Sequence, residues 1–566
     1  MTIRDLSDAA EGLGSTNYEY CIIGGGMAGL FIARRLAEAG RRVAVLESGR
    51  LGFDQQIHEL NTIVDSYGYY SRALDGRYRG LGGSSSRWGG RLVPIYGHET
   101  AKRDHLGLEG WPLDYRELQP YGREIEAAFG LPPGSFGKEA LERSKLHADF
   151  PTDDPDFTAR FAKWINYRQC NLGQLWRRAL EKLQGLDIWL GATVTNFVYD
   201  TAQGRLDGVQ ASDFSGNRIS VNAGHFIVAA GTIETTRLLL WLDAQTAGRA
   251  FGKTQALGHY FQDHLKAEAA TIARNDVAES NRLFGYHYID GARRSLHIDL
   301  TQSAQEADGS TSAFAYAAMD LSNSPLVRIK ALVRAMQAGQ LKLSDAIALV
   351  DQLPLLLNVA FWRLVRKQVY MPENVRLGLQ IAIEQRPNWD NYIKLSAERD
   401  RLGTPRAELW WQPKVEDELT FRATAKRLKN YWERSSFGQG SPLSWLVGED
   451  RDDSRFIDVA SAYAHPSGST RMGTDPTSSV VRPDLTCHGV PNLSVASASV
   501  FPSAGSANPT YTILQLALWH ADKLLKVKKV AAATIEPAPY TASETRTMAS
   551  ASLNTSATRA TSSSSI

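Results

Sequence analysis

Three cysteines in 566 residues, Cys21, Cys170 and Cys487, are too few and too scattered for a disulfide framework or a thiolate metal site. Such usage fits a reducing compartment, and no metal is expected. Charge of one sign is missing as well. A formal net charge of +2 gives no electrostatic case for a nucleic-acid partner. Long apolar runs are absent too: the strongest, Leu353–Trp362, is broken by Pro354 and Asn358 and reaches about half of the ~20 residues that a spanning helix needs. The first twenty residues contain neither a charged-then-apolar leader nor a twin arginine, so the chain is expected to be unprocessed and cytoplasmic. No internal repeat is visible.

What is present reads as ordinary globular protein, 43% hydrophobic and 22% charged. The length exceeds one ordinary core, which predicts two packed domains plus a tail. A short buried strand, Tyr18–Ile23, runs into Gly24-Gly25-Gly26-Met27-Ala28-Gly29 and then a helix to about Ala39. A second strand, Arg42–Leu46, ends at Glu47. Gly24, Gly26 and Gly29 thus form G-x-G-x-x-G between a strand and a helix. The first glycine permits the tight turn, the second lets backbone approach a pyrophosphate, and the third lets helix and strand pack closely. The helix N-terminus favours the anion. Glu47 stands where a carboxylate grips an adenosine ribose hydroxyl; its plainer reading is a solvated strand-end carboxylate. The pattern covers FAD and NAD alike.

Residues 186–231 read as a run of strands followed by a helix from about Ile233. A helical section is expected over Pro325–Tyr370, then a β stretch over 377–411. From 531 to 566, Ser, Thr and Ala fill 24 of 36 positions; such a segment cannot bury enough apolar surface to offset its ordering entropy and is expected to be disordered.

Four further segments resemble the glucose–methanol–choline (GMC) oxidoreductases. They are Leu81–Gly90 (LGGSSSRWGG), Ala229–Glu234 (AAGTIE), Leu257–His264 (LGHYFQDH) and a C-terminal block with His465–Gly473 (HPSGSTRMG), Val490–Leu493, Phe501-Pro502 and Asn508-Pro509-Thr510. Their order and spacing run from about residue 18 to 526, with a looser match in the middle. The likeness implies an α/β (α+β) fold: a discontinuous Rossmann-like FAD domain (18–270 and 460–530, after an N-terminal extension 1–17) and an inserted substrate domain (271–459) built on a β-sheet and helices. It also implies that Gly82, Gly83 and Ser84 pass the isoalloxazine ring, that Val194 offers its backbone to adenine, and that Ala230, Gly231, Ser499, Pro509 and Thr510 complete the FAD site.

Two positions depart from the family pattern. Arg87 stands where members with covalent flavin carry histidine; an arginine is always protonated and is no nucleophile, so the FAD is expected to be non-covalent. Val495-Ala496-Ser497-Ala498-Ser499 lacks the family's usual aspartate at Ser497.

Alcohol oxidation by flavin needs a base for the hydroxyl proton while a hydride leaves carbon for the flavin N5. Histidine suits that task near neutral pH. By resemblance His465 is the base and Asn508 its partner, whereas His264 reads as structural. Asn508 directly precedes Pro509 and a helix, so it also reads as a plain N-cap.

The expectation is therefore an FAD-dependent oxidoreductase acting on a CH–OH group, with a secondary hydroxyl of a sugar or glycoside as the substrate. Oxygen, a quinone or a redox protein would accept the electrons. The GGSSSRW and GTIETTR sequences are closer to the pyranose-oxidising branch than to the choline branch. The alternatives are a membrane-surface or complex-assembly protein with structural FAD, and a redox-neutral lyase of the same family. Arg328, Lys330, Arg334, Arg363, Arg366 and Lys367 read as a solvated basic face; the sharper reading is a peripheral contact with the inner membrane face.

Overall fold

Two β-sheets organise the computed structural model, which describes residues 3–8, 16–71, 73–137, 139–140, 154–324, 327, 353–435, 437–448 and 454–529. Residues Met1–Leu525 form one compact unit. The 531–566 segment, and Arg328, Lys330 and Arg334 of the helical section, lie outside the described residues.

The first sheet has eight strands, with Thr16–Ile23 at its centre between Val43–Leu46 and Arg218–Val228. All four residues of Val43–Leu46 are buried, as expected of a parallel strand covered on both faces. It pairs in parallel with Thr16–Ile23 (Tyr20 opposite Val43) and with Leu186–Leu190. The helix Met27–Glu38 makes the crossover, burying Leu30, Phe31, Ala33 and Leu36. Thr193–Asp200 and Arg205–Ser212 extend the sheet in antiparallel fashion. The short strand Leu493–Val495 joins beside Arg218–Val228, so both ends of the chain supply this sheet. The N-terminal extension is not free of it: Ile3–Asp5 pairs with Leu186–Leu190. The helix Thr510–Lys529 sets Leu514, Ala517 and Leu518 into the same core as Phe31 and Leu36.

The second sheet has nine strands. Its centre is Leu265–Ile272, Arg376–Ile383, Ala313–Asp320, Ala292–Leu300 and Phe157–Trp164, antiparallel throughout. Leu377, Leu379, Ile381 and Ile383 share a core with Phe421, Ala425 and Leu428 of the helix Val415–Arg434. Strands from 91–92, 157–164 and 265–272 belong to this sheet, so its membership does not begin at a single cut near 271. The expected β stretch is present as Arg376–Ile383, Tyr392–Arg399 and Pro405–Trp410. Of the expected helical section, Leu353–Phe361 is an α-helix and Trp362–Arg366 a π-helical turn.

A buried ion pair lies beside the site. Arg103 donates to both oxygens of Glu384 at 2.6 and 2.8 Å, and the same carboxylate accepts from Gly505 N at 2.9 Å and Ser312 Oγ at 2.8 Å. Burial works against the Glu384 charge, but Arg103 and these donors hold its pKa down at about 2. Removing one member of such a pair costs about 3–5 kcal/mol, because its partner is left charged and dry.

Candidate active site

Two cavities meet at His465. The first, about 250 Å³, opens where the parallel strands end, the place where open α/β sheets bind ligands. Gly24, Gly26, Glu47, Val194, Ala230 and Gly231 line it, together with Gly83, Ser84, Pro509 and Thr510. The glycines are there because side chains cannot be. Gly24 has φ 109°, and a Cβ on it would sit 2.7 Å from Ala229 O. Gly29 lies outside the cavity wall and serves packing, since a Cβ there would come within 2.0 Å of Gly24 O. The Gly80–Ser86 loop lies on the first turn through Gly82 N, which donates to Gly25 O at 2.8 Å. Gly82 itself packs against Gly173 rather than lining the cavity.

Glu47 is only 5% exposed, which overturns the solvated strand-end reading. Its carboxylate accepts from Gly25 N at 2.7 Å, Gly49 N at 2.8 Å and Gly80 N at 2.9 Å. Burial pushes its pKa up even against these N–H groups and Arg79. A carboxylate has about four lone-pair sites, so one remains for a ligand hydroxyl. Arg77 and Arg79 also line this cavity. Arg79 pairs with Glu234 at 3.0 Å and donates to Ser48 Oγ at 2.9 Å. Neither arginine stood out in the sequence. Ser499 does not line the cavity; its hydroxyl is buried against Thr470 and Ser497, and Ser497 faces the cavity instead. The two hydroxyls touch each other, with Ser497 at the cavity wall and Ser499 behind it.

The second cavity, about 560 Å³, lies against the second sheet, with Trp88, Arg91, Trp164, Tyr286, Tyr316 and Tyr463 among its walls. Asn508 lines this cavity, while His465, Ala464, Ser84 and Thr510 line both. Ala464 has φ 61°, a left-handed conformation that is costly for a residue with a Cβ. Its neighbour His465 is fixed by its own N–H, which donates to Asp263 Oδ1 at 2.8 Å. Asp263 also accepts from Tyr70 Oη at 2.9 Å, and burial raises its pKa to about 7.

The hydrogen bonds around His465 define one tautomer. His264 Nε2 lies 2.6 Å from Gly505 O; a carbonyl only accepts, so Nε2 carries a proton. Burial lowers the His264 pKa, so the ring is neutral and its Nδ1 is an acceptor. His264 Nδ1 is 2.9 Å from His465 Nδ1, which must therefore be the donor. His465, whose pKa burial and then His264, Arg91 and Lys266 push well down, is left with a lone pair on Nε2. Asn508 Nδ2 donates to that atom at 2.9 Å. Asn508 Oδ1 is sealed and accepts no hydrogen bond among the described residues, so the N-cap reading does not hold. The first cavity fits a bound FAD, since Gly24, Gly26, Gly83 and Gly231 keep its wall free of side chains and Glu47 retains an acceptor site.

Arg87 is exposed, with its guanidinium over Phe53 at 4.8 Å and Tyr78 at 5.3 Å.

Residues 387–517 match the family model described as GMC oxidoreductase, and residues 19–288 match that described as FAD dependent oxidoreductase. The chain joins an FAD-dependent oxidoreductase domain to a GMC oxidoreductase domain. Among its relatives, 2-methyl-1,2-propanediol dehydrogenase of Mycolicibacterium austroafricanum is 23% identical, over 88% of this chain and 94% of that one. C-glycoside 3-oxidase of Microbacterium trichothecenolyticum is 40% identical over 146 residues, 25% of this chain and 26% of that one. Pyridoxine 4-oxidase from Mesorbium loti shares the fold, with a TM-score of 0.55 at 16% identity over 90% of this chain and 99% of that one. The chain is thus an FAD-dependent oxidoreductase, and the expected α/β fold with a Rossmann-like domain is the one found.

Proposed function

We propose that this FAD-dependent oxidoreductase oxidises a secondary hydroxyl of a sugar or glycoside, with His465 as base and Asn508 as its partner at the substrate oxygen. The observation that supports the reading is the His465 Nε2 acceptor, fixed by the His264 contact and held by Asn508 Nδ2, on a residue that lines both cavities. Gly24 and Gly26 would admit the pyrophosphate of FAD, with Gly29 packing the helix behind them, Glu47 the ribose, Val194 the adenine, and Gly83 and Ser84 the ring system, with Gly82 holding their loop against Gly25. Ala230, Gly231, Pro509 and Thr510 would close around it, and Ser497 takes the place expected of Ser499. FAD, when bound, accepts the hydride. His465 Nε2 takes the hydroxyl proton, and Asn508 Nδ2 then donates to the oxygen. His264 is a positioning residue that keeps the proton on Nδ1 of His465. The aromatic walls exclude water from that transfer.

The sugar assignment is supported by the 40% local match to a C-glycoside 3-oxidase and by the roomy aromatic cavity. The location of Arg87 on Phe53 and Tyr78 supports a non-covalent flavin. The two sheets support a discontinuous FAD domain with an inserted substrate domain. Anaerobic mixing of purified protein with glycosides, free sugars and small alcohols tests the reading. Bleaching of the oxidised flavin by a secondary carbinol is expected, and no bleaching with any alcohol would favour structural FAD or a lyase. Electrons would pass to oxygen, a quinone or a redox protein, and the enzyme would act in the cytoplasm.

A peripheral contact with the inner membrane face is supported by one further observation. The segment Leu353–Arg366 exposes Leu357, Leu364 and Val365 at 63%, 67% and 63%, beside Arg363 and Arg366. Co-sedimentation with anionic but not neutral vesicles would support the contact. No described helix is long and apolar enough to cross a membrane.

A further inference from the structure

Oxidising a neutral sugar does not call for a bare cation in the substrate cavity, yet one is there. Arg91, half-buried on the short strand Arg91–Leu92, lines the 560 Å³ cavity. Its Nη2 donates to Tyr463 Oη at 2.7 Å, and its Nη1 contacts His297 Nε2 at 3.2 Å. Aromatic rings surround the guanidinium: Tyr316 at 5.4 Å, Tyr463 at 5.6 Å, Phe314 at 5.8 Å and Trp164 at 5.9 Å. Arg91 forms no ion pair among the described residues, unlike Arg103, Arg160 and Arg237, which are also buried and each face a carboxylate. A guanidinium has five N–H donors, so its Nε and one N–H on each terminal nitrogen remain for a ligand.

The surroundings add to the imbalance. Lys266 places its Nζ 5.0 Å from the Tyr463 ring centre and has no carboxylate partner among the described residues. Of the charged residues lining the cavity, Arg87 and Arg91 are basic, and the single acid, Asp75, is exposed. Tyr316 and Tyr286 do not supply the missing charge, because burial pushes both phenols up and keeps them neutral. A dry cation without a counter-ion is expensive, whereas a ligand carboxylate would satisfy it through a charge-assisted, fork-shaped contact. The distance to the chemistry is also suitable: Tyr463, which Arg91 touches, has its ring centre 4.8 Å from that of His465. One ring therefore separates the cation from the base.

We propose that the substrate is an acidic alcohol, a uronic-acid-type sugar or glycoside, whose carboxylate is taken by Arg91 while its carbinol faces His465. This deepens the sugar-oxidation reading and rests on it. Arg91 would then reject neutral analogues by leaving itself unpaired.

The test compares the holoenzyme with two matched pairs: methyl glucuronoside against methyl glucoside, and methyl galacturonoside against methyl galactoside. Binding is read by calorimetry and reduction by anaerobic flavin bleaching. Hydrogen bonds to a charged group favour the acid by roughly 10- to 100-fold, and that preference is expected for at least one pair. Arg91→Gln should collapse the ratio between acid and neutral partner, and Arg91→Lys should retain part of it. If neither acid binds tighter than its neutral partner in the wild type, the proposal is overturned, whether or not the variants fold. Equal weakening of both members by Arg91→Gln would also overturn it. Preferential binding of an acid with no bleaching by any of the four would leave the anion subsite standing and sink the oxidation reading. Bleaching by neutral members without preference would do the reverse.

Discussion

Replacing His264 by phenylalanine keeps a ring of similar size while removing both of its hydrogen bonds, to Gly505 O at 2.6 Å and to His465 Nδ1 at 2.9 Å. His465 then has two options. It can keep the proton on Nδ1 and bury an unsatisfied donor, at a cost of about 1–3 kcal/mol. Alternatively it can move the proton to Nε2, where it confronts the Nδ2 donor of Asn508 at 2.9 Å and loses the lone pair that takes the substrate proton. Either way the productive tautomer loses about 1–3 kcal/mol, a factor of roughly 5 to 150 in population. The flavin-reduction rate at saturating substrate should fall by that factor, with little change in apparent substrate affinity. His264→Asn should recover much of the rate, because the asparagine oxygen can stand near the original Nδ1. Stopped-flow bleaching of the oxidised flavin under anaerobic conditions measures both, after flavin content is checked. A phenylalanine variant that holds FAD and reduces it at the wild-type rate, with an unchanged pH profile, would refute the tautomer argument.

His465→Ala should retain FAD and slow reduction by about 10²–10⁴, the usual range for losing a general base, as single-turnover bleaching would show. Asn508→Asp should slow reduction too, because a carboxylate cannot donate to the substrate oxygen; wild-type turnover in that variant would remove Asn508 from the site. Acid precipitation should release the flavin intact into the supernatant, and flavin that stays with the polypeptide would contradict the reading of Arg87. Burial holds His225, His287 and His520 down at about 3, 4 and 4. Since the unfolded chain binds protons below about pH 6.5 that these rings refuse, stability is complete above that pH and declines as pH falls. Each ring costs about 2 kcal/mol by pH 5, so Tm should drop steeply from pH 7 to 5; a flat profile would show that these sites are hydrated.

The dinucleotide turn was legible because Gly24 takes a positive φ and a Cβ on Gly29 would meet Gly24 O, both demands local to the turn. His465 was legible only through the block it opens, since twelve histidines offer no local way to choose among them. Its support was not legible at all. His264 read as structural, and its bond to Gly505 O joins residues 241 apart in sequence. Arg91 and Tyr316 come from two strands and Tyr463 from the loop after Ser461–Ala462, and alternation along a strand does not show which rings will meet. That Ser497 rather than Ser499 lines the cavity has the same origin: the hydroxyls touch, and only the folded turn sets which of them is in front. The strand Phe157–Trp164 escaped notice as part of the second sheet because its partner Ala292–Leu300 follows more than a hundred residues later.

The supply of the first sheet from both ends of the chain sets the order in which this enzyme can become an enzyme. Gly24 and Glu47 leave the ribosome long before His465, the Leu493–Val495 strand and the Leu514 face of the helix Thr510–Lys529. Until then the core that Phe31 and Leu36 share with Phe129 and Trp176 lacks its last-made members, Leu514, Ala517 and Leu518, an aggregation-exposed intermediate of the kind expected when distant contacts close last. Flavin capture is expected only after these later residues are made, and nascent chains arrested before residue 510 should neither hold FAD nor resist protease.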